Sequence, residues 1–99
     1  MIRHVVMWKL KAQDAEGKSA AFTAMAEALG ALPQTVTEIR HLTIGQDLGA
    51  IEGNWDVTLI ADYETPADLA AYQVHPDHVE AAKVVRANTS ERATVDFEI

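Results

Sequence analysis

Apolar and polar positions alternate from the start of the chain. Ile2, His4, Val6, Trp8 and Leu10 point to one side of an extended segment, and Arg3, Val5, Met7 and Lys9 to the other. The period then changes. Over "DAEGKSAAFTAMAEALGALP" the residues Phe22, Met25, Ala26, Leu29 and Leu32 recur at helical spacing, with Asp14 as a candidate cap and Gly30 and Pro33 as stops. "VTEIRHLTIG" alternates again, setting Glu38, Arg40, Leu42 and Ile44 against Thr37, Ile39, His41 and Thr43, and predicts a second strand ahead of the irregular "QDLGAIEGN".

"WDVTLIADY" is the strongest strand signal, with Trp55, Val57, Leu59, Ala61 and Tyr63 on one face and Asp56, Thr58, Ile60 and Asp62 on the other. In "TPADLAAYQV" Thr65 can cap a helix, Pro66 suits its first position because no N–H is needed there, and Asp68 favours its positive end. Pro76 interrupts that helix and forces His75 out of helical geometry, so Asp77 to Arg86 form a second piece. "RATVDFEI" closes the sheet by setting Ala93, Val95, Phe97 and Ile99 against Arg92, Thr94, Asp96 and Glu98.

The order β-α-β-β-α-β predicts an α+β, ferredoxin-like fold with a four-stranded antiparallel sheet and helices on one face. A length of 99 residues fits one domain, residues 1–99. Val5, Met7, Ile39 or its neighbours, and Ile60 place apolar side chains on the face that the helices leave open. Leaving four such side chains in water forgoes about 1.5 to 3 kcal/mol apiece. A homodimer joined through its sheet faces, barrel-like, is therefore expected.

Composition narrows the partners. A net charge of −7, with no basic run longer than "KLK", argues against nucleic acid and anionic membranes. With no cysteine there is neither thiol nucleophile nor thiolate metal site, which fits a reducing, cytoplasmic setting. The opening apolar run ends at Lys9 and Lys11, too short for a membrane span, and reads as a strand in place of a leader. Gly45, Gly49 and Gly53 lack the spacing of a phosphate loop, so no nucleotide cofactor is indicated, and no cofactor of another kind is called for. His75 and His78 are not at the i, i+4 spacing of a helical zinc site and have no evident third ligand, so no metal is expected.

The chemistry concentrates in "AYQVHPDHVEA". Beside a phenol, an imidazole can act as base while the hydroxyl steadies an enolate, which makes Tyr72 and His78 the candidate catalytic pair. A core tyrosine and a His-Pro kink need no catalysis to exist, so a purely structural role stands beside that reading. Asp56 and Asp62 read as solvated charges on one strand face, and Tyr63 joins no recognisable constellation. His4, Val6, Trp8, Phe22, Val57 and His75 are the candidate ligand-binding residues, with Trp8, Phe22, Trp55 and Phe97 as a possible apolar wall.

The segments "RHVVMWKLK", Trp55 to Tyr63 with the following "ET", "DLAAYQVHPDHV" and "VDFEI" together resemble the stress-responsive A/B barrel domain, or Dabb, over nearly all of the chain. That resemblance implies a dimeric α+β barrel. One branch of the family is similar to plant polyketide cyclases, which work in a pocket between the sheet and the broken helix. Their tyrosine and second histidine of Tyr-x-x-His-Pro-x-His fall on Tyr72 and His78, and their N-terminal histidine on His4. A further pocket histidine falls near Val57, where this chain departs from the pattern, so the same substrate is not implied. Three readings follow: a binding protein for a small hydrophobic or aromatic molecule, an enzyme (cyclase, lyase or cofactor-free monooxygenase), or an assembly protein whose pocket is filled by its own side chains.

Overall fold

A computed structural model describes residues 1–99. The chain runs β1 (Ile2–Leu10), α1 (Ala15–Gly30), β2 (His41–Gln46), β3 (Val57–Tyr63), α2 (Pro66–Val74), α3 (Pro76–Asn88) and β4 (Thr89–Glu98). The strands form one antiparallel sheet in the order β2-β3-β1-β4, which is the ferredoxin-like arrangement with the helix break at Pro76. No helix is long and apolar enough to cross a membrane.

Local chemistry fixes the helix starts. Asp14 accepts a hydrogen bond from the Gly17 N–H, and Thr65 accepts one from Asp68 N–H, each satisfying a donor that the first helical turn leaves free. Between α2 and α3, His75 is extended at φ −61° and ψ 136° because the ring of Pro76 excludes the helical region. Its Nδ1 then accepts from the Asp77 N–H and caps α3.

The inner sheet face carries His4, Val6, Trp8 and Leu10 from β1 and Val57, Leu59, Ala61 and Tyr63 from β3, all buried against the helices. Met25 and Leu29 of α1, with Leu32, Val36, Leu69, Tyr72 and Val85, complete the core. Fully burying an apolar side chain of this size stabilises the fold by about 1.5 to 3 kcal/mol. Asp56 ties three elements together at the edge of this core: its carboxylate accepts from Leu10 N–H and from Lys18 Nζ, while its own N–H donates to the Trp8 carbonyl.

Several boundaries differ from the sequence pattern. Val36 to Arg40 do not extend as a strand. A 3-10 turn at Leu32–Gln34 is followed by local bonds from Val36 N–H to the Leu32 carbonyl and from Ile39 N–H to the Val36 carbonyl. Both apolar side chains therefore turn inward, and Ile39 is buried in the core instead of lying on the outer face. Residues 55 and 56 precede β3, and β4 begins at Thr89, directly after α3, through a polar "TSE" that carries no apolar alternation.

Register also settles the two sides of β4. His4 opposes Asp96, Val6 opposes Thr94 and Trp8 opposes Arg92, so the polar set of β4 shares the helix-covered side. Ala93, Val95 and Phe97 oppose Met7, Val5 and Arg3 on the outer side. Val95 is 63% exposed, Phe97 43% and Met7 42%, so that surface is apolar and open in the single chain. Arg3 spans it to Asp62, with Nε and Nη2 at 2.8 and 3.0 Å from the two carboxylate oxygens.

Candidate functional site

Over the β1–β4 half of the sheet, beneath α3 and the end of α1, lies a cavity of about 550 Å³. Val6, Trp8, Leu29, Leu59 and Val85 give it an apolar floor, and His4, Tyr72 and His78 bring titratable rings to it. The break at Pro76 makes this convergence possible. A continuous helix would place residues 72 and 78 about 120° apart around its axis and about 9 Å apart along it. With the interruption, Tyr72 near the end of α2 and His78 in the first turn of α3 have ring centroids 4.4 Å apart.

Two histidines reach the cavity with one nitrogen already committed. His4 Nδ1 lies 2.5 Å from Asp96 Oδ1, across the β1–β4 pairing. His78 Nδ1 lies 3.0 Å from the Gln73 carbonyl oxygen. A carboxylate and a carbonyl accept only, so in both rings a hydrogen sits on Nδ1, and in the neutral His78 ring Nε2 carries the free lone pair. Burial holds the His78 imidazole below its ordinary pKa, the Gln73 carbonyl opposes that shift, and the nearby His4, Arg92 and Arg86 reinforce it. His78 is thereby kept as a neutral base.

Tyr72 is almost fully buried, and burial pushes its hydroxyl up to about 12, with the adjacent Tyr63 hydroxyl and then Arg92 pulling the other way. It remains a protonated donor at neutral pH. Behind it, Tyr63 packs with ring centroids 5.1 Å away, and His4 stands edge-on to both tyrosines at 6.3 and 6.5 Å. Burial first, then the neighbouring Tyr72, drives Tyr63 strongly upward, and its hydroxyl, although close to that of Tyr72, makes no hydrogen bond of acceptable geometry. No three His, Asp or Glu side chains lie close enough together to hold a metal ion.

Of the candidate residues, His4, Val6, Trp8, Tyr72 and His78 share this cavity, and Phe22, Val57 and His75 do not. Phe22 sits seven residues before Leu29, two turns and about 10.5 Å along the same helix, and packs on the core. Val57 is buried and lines a separate hollow of about 520 Å³ with Met7, Gly45 and Trp55. His75 spends its ring nitrogen as the cap of α3. The apolar wall reduces to Trp8: Trp55 packs under Lys9, whose Nζ is 5.0 Å from its ring, and Phe97 lies on the outer sheet face.

Sequence reasoning missed Asp96, Tyr63, Arg86 and Arg92 as neighbours of the cluster. Asp96 and Arg92 belong to the charged half of an amphipathic strand, and only the register with β1 assigns that half to the cavity side.

The sequence profile of the stress responsive A/B barrel domain matches residues 2–99. No curated protein sequence matches the chain. Among solved structures, a dimeric ferredoxin-like protein of unknown function from Bacteroides fragilis is 30% identical, with TM-score 0.87 over 99% of this chain and 95% of that one. A second dimeric ferredoxin-like protein of unknown function, from Thermobifida fusca, is 27% identical, with TM-score 0.78 over 99% and 90%. The hydroxynitrile lyase of Passiflora edulis shares the fold at 19% identity and TM-score 0.81, over 99% and 92%.

Proposed function

The chain belongs to the stress-responsive A/B barrel domain family, and from that premise we propose that it is a homodimer, joined through its outer sheet faces, whose cavity takes a small hydrophobic or aromatic molecule. The observation that carries this reading is the cavity itself: about 550 Å³ with an apolar floor and three titratable rings. Ligand sites typically occupy about 300 to 1,000 Å³, mostly apolar with few polar groups.

A second reading, catalysis by proton transfer, is favoured by the contact between Tyr72 and His78 and by the free Nε2 of the latter. In this scheme His78 Nε2 removes a proton from the carbon next to a ligand carbonyl. Tyr72, still carrying its hydrogen, donates to the enolate oxygen that results. The electron pair of the broken C–H bond moves into the enolate, and return of the proton to carbon or oxygen completes the cycle. Val57 supplies no imidazole, which sets this site apart from the cyclase pattern, and the likeness to the Passiflora edulis lyase is one of fold and lends no substrate.

Deuterium uptake at the α-carbons of phenylacetone in D₂O tests the second reading, and Trp8 fluorescence in a Trp55→Phe background, on titration with the same ketone, tests the first. His78→Ala should slow enzyme-dependent exchange by at least about 100-fold, the lower bound for a positioned general base, and leave binding within a few-fold. Exchange equally fast in the variant would exclude His78 as the base. If Trp8 in that background gives no saturable response to aryl ligands, the cavity is not a ligand site.

A further inference from the structure

The mouth of the cavity carries charge that the proton-transfer scheme does not use. Arg86, in the last turn of α3, and Arg92, opposite Trp8 on β4, both line it. Of the other basic side chains on β1 and β4, Arg3 pairs with Asp62, Lys9 Nζ with Glu91 at 3.1 Å, and His4 with Asp96. Neither Arg86 nor Arg92 has an acidic partner within 4.0 Å. Glu91 also borders the cavity, but Lys9 holds its charge.

We propose that the molecule taken by this cavity is an amphipathic carboxylate, its apolar body on Val6, Trp8 and Leu29 and its anionic group between Arg86 and Arg92, which presupposes the reading of the cavity as a ligand site. A chain of net charge −7 repels anions as a whole, so two unpaired guanidinium groups at one opening are a local reversal of the surrounding field. Guanidinium groups suit a planar carboxylate because their parallel N–H donors match its two oxygens. Arg86 stands in the last turn of α3, where the negative end of the helix favours a cation. That both groups stand close to the chemistry is seen in their influence on His78, and that of Arg92 on Tyr72. An anion bound there would sit at the ring cluster's entrance, leaving the Nε2 atoms of His4 and His78 to the interior.

The test uses a matched pair, 4-butylbenzoate and 4-butylbenzyl alcohol, titrated into wild-type protein and the Arg86→Gln/Arg92→Gln double variant by calorimetry. Both arginines are exposed, and the melting midpoint of the variant checks that it remains folded. Wild type should bind the acid about tenfold more tightly than the alcohol, as charge-assisted hydrogen bonds allow, and 0.5 M salt should narrow that gap. In the double variant the gap should close, with alcohol binding within twofold of wild type. Equal affinity of wild type for acid and alcohol, or a preference that survives in the variant, would overturn the anion assignment while leaving the cavity as a ligand site. Binding of neither probe to wild type would remove the ligand site and the anion assignment together.

Discussion

His4 and Asp96 face one another across β1 and β4, the Nδ1 of a buried imidazole against the carboxylate oxygen of a half-exposed side chain. They are 92 residues apart in the chain and adjacent only because the sheet aligns them. The pairing satisfies a polar group in the core and fixes the tautomer that His4 offers to the cavity.

Replacing Asp96 by Asn leaves an acceptor of similar shape without the charge. The expected result is a second His4 tautomer visible in the ¹⁵N spectrum. Unfolding free energy should fall by about 0.5 to 1.5 kcal/mol, the range of one hydrogen bond, toward its lower end because the Asp96 side chain is 39% exposed. A single unchanged tautomer would show that Asp96 does not orient the ring.

Tyr63 offers the opposite case. Its hydroxyl is buried without a partner, a condition that costs about 1 to 3 kcal/mol. Tyr63→Phe should therefore match or exceed the wild-type denaturation midpoint in urea. A loss of stability would mean that the hydroxyl bonds to Tyr72 or to an enclosed water.

The depressed pKa of His78 sets a pH dependence whose sign can be worked out. In the unfolded chain the imidazole takes up a proton near its ordinary value of about 6.5, whereas in the folded chain it does so only at lower pH. Above both values it is neutral in either state and contributes nothing. As pH falls from about 6.5 toward the lowered native value, the unfolded state binds the extra proton and stability decreases. Besides His78 itself, the titratable and charged groups lining this site are His4, Tyr72, Arg86, Glu91 and Arg92. Urea unfolding from pH 7.5 to 5 should show a decline in wild type that is smaller in His78→Gln. Parallel curves for the two proteins would assign the decline elsewhere.

The outer face makes a prediction about assembly. Val95, Phe97 and Met7 are all more than 40% exposed in the single chain, and a second copy laid over them would remove that surface from water. Sedimentation of wild type at micromolar concentration should give two chains per particle, and Val95→Glu/Phe97→Glu should give one. A monomeric wild type would refute the sheet-to-sheet dimer.

What the sequence made legible was mostly local. The caps at Asp14 and Thr65 and the break at Pro76 depend on neighbours a few residues away, so residue type sufficed to place them. The alternation of β1 and β3 was likewise readable, because one of their faces is buried. Val36 to Arg40 misled because alternating residue types are also compatible with successive turns that bury Val36 and Ile39. For β4 the alternation revealed two faces without telling which one meets the helices, and its apolar half proved to be the outer one. Asp96, Arg92 and the fate of Phe97 all follow from that one binary choice. The positions of Phe22 and Val57 required helix rotation and the extent of the cavity, neither of which a linear pattern contains.

Tyr72 and His78 ride on separate rods that meet at the Pro76 joint, and only the second rod runs on into β4. Tilting one rod against the other changes the spacing of phenol and imidazole while the pleated layer beneath stays as it is. A substitution at that single elbow would therefore retune the pair while leaving the far surface of the sheet untouched.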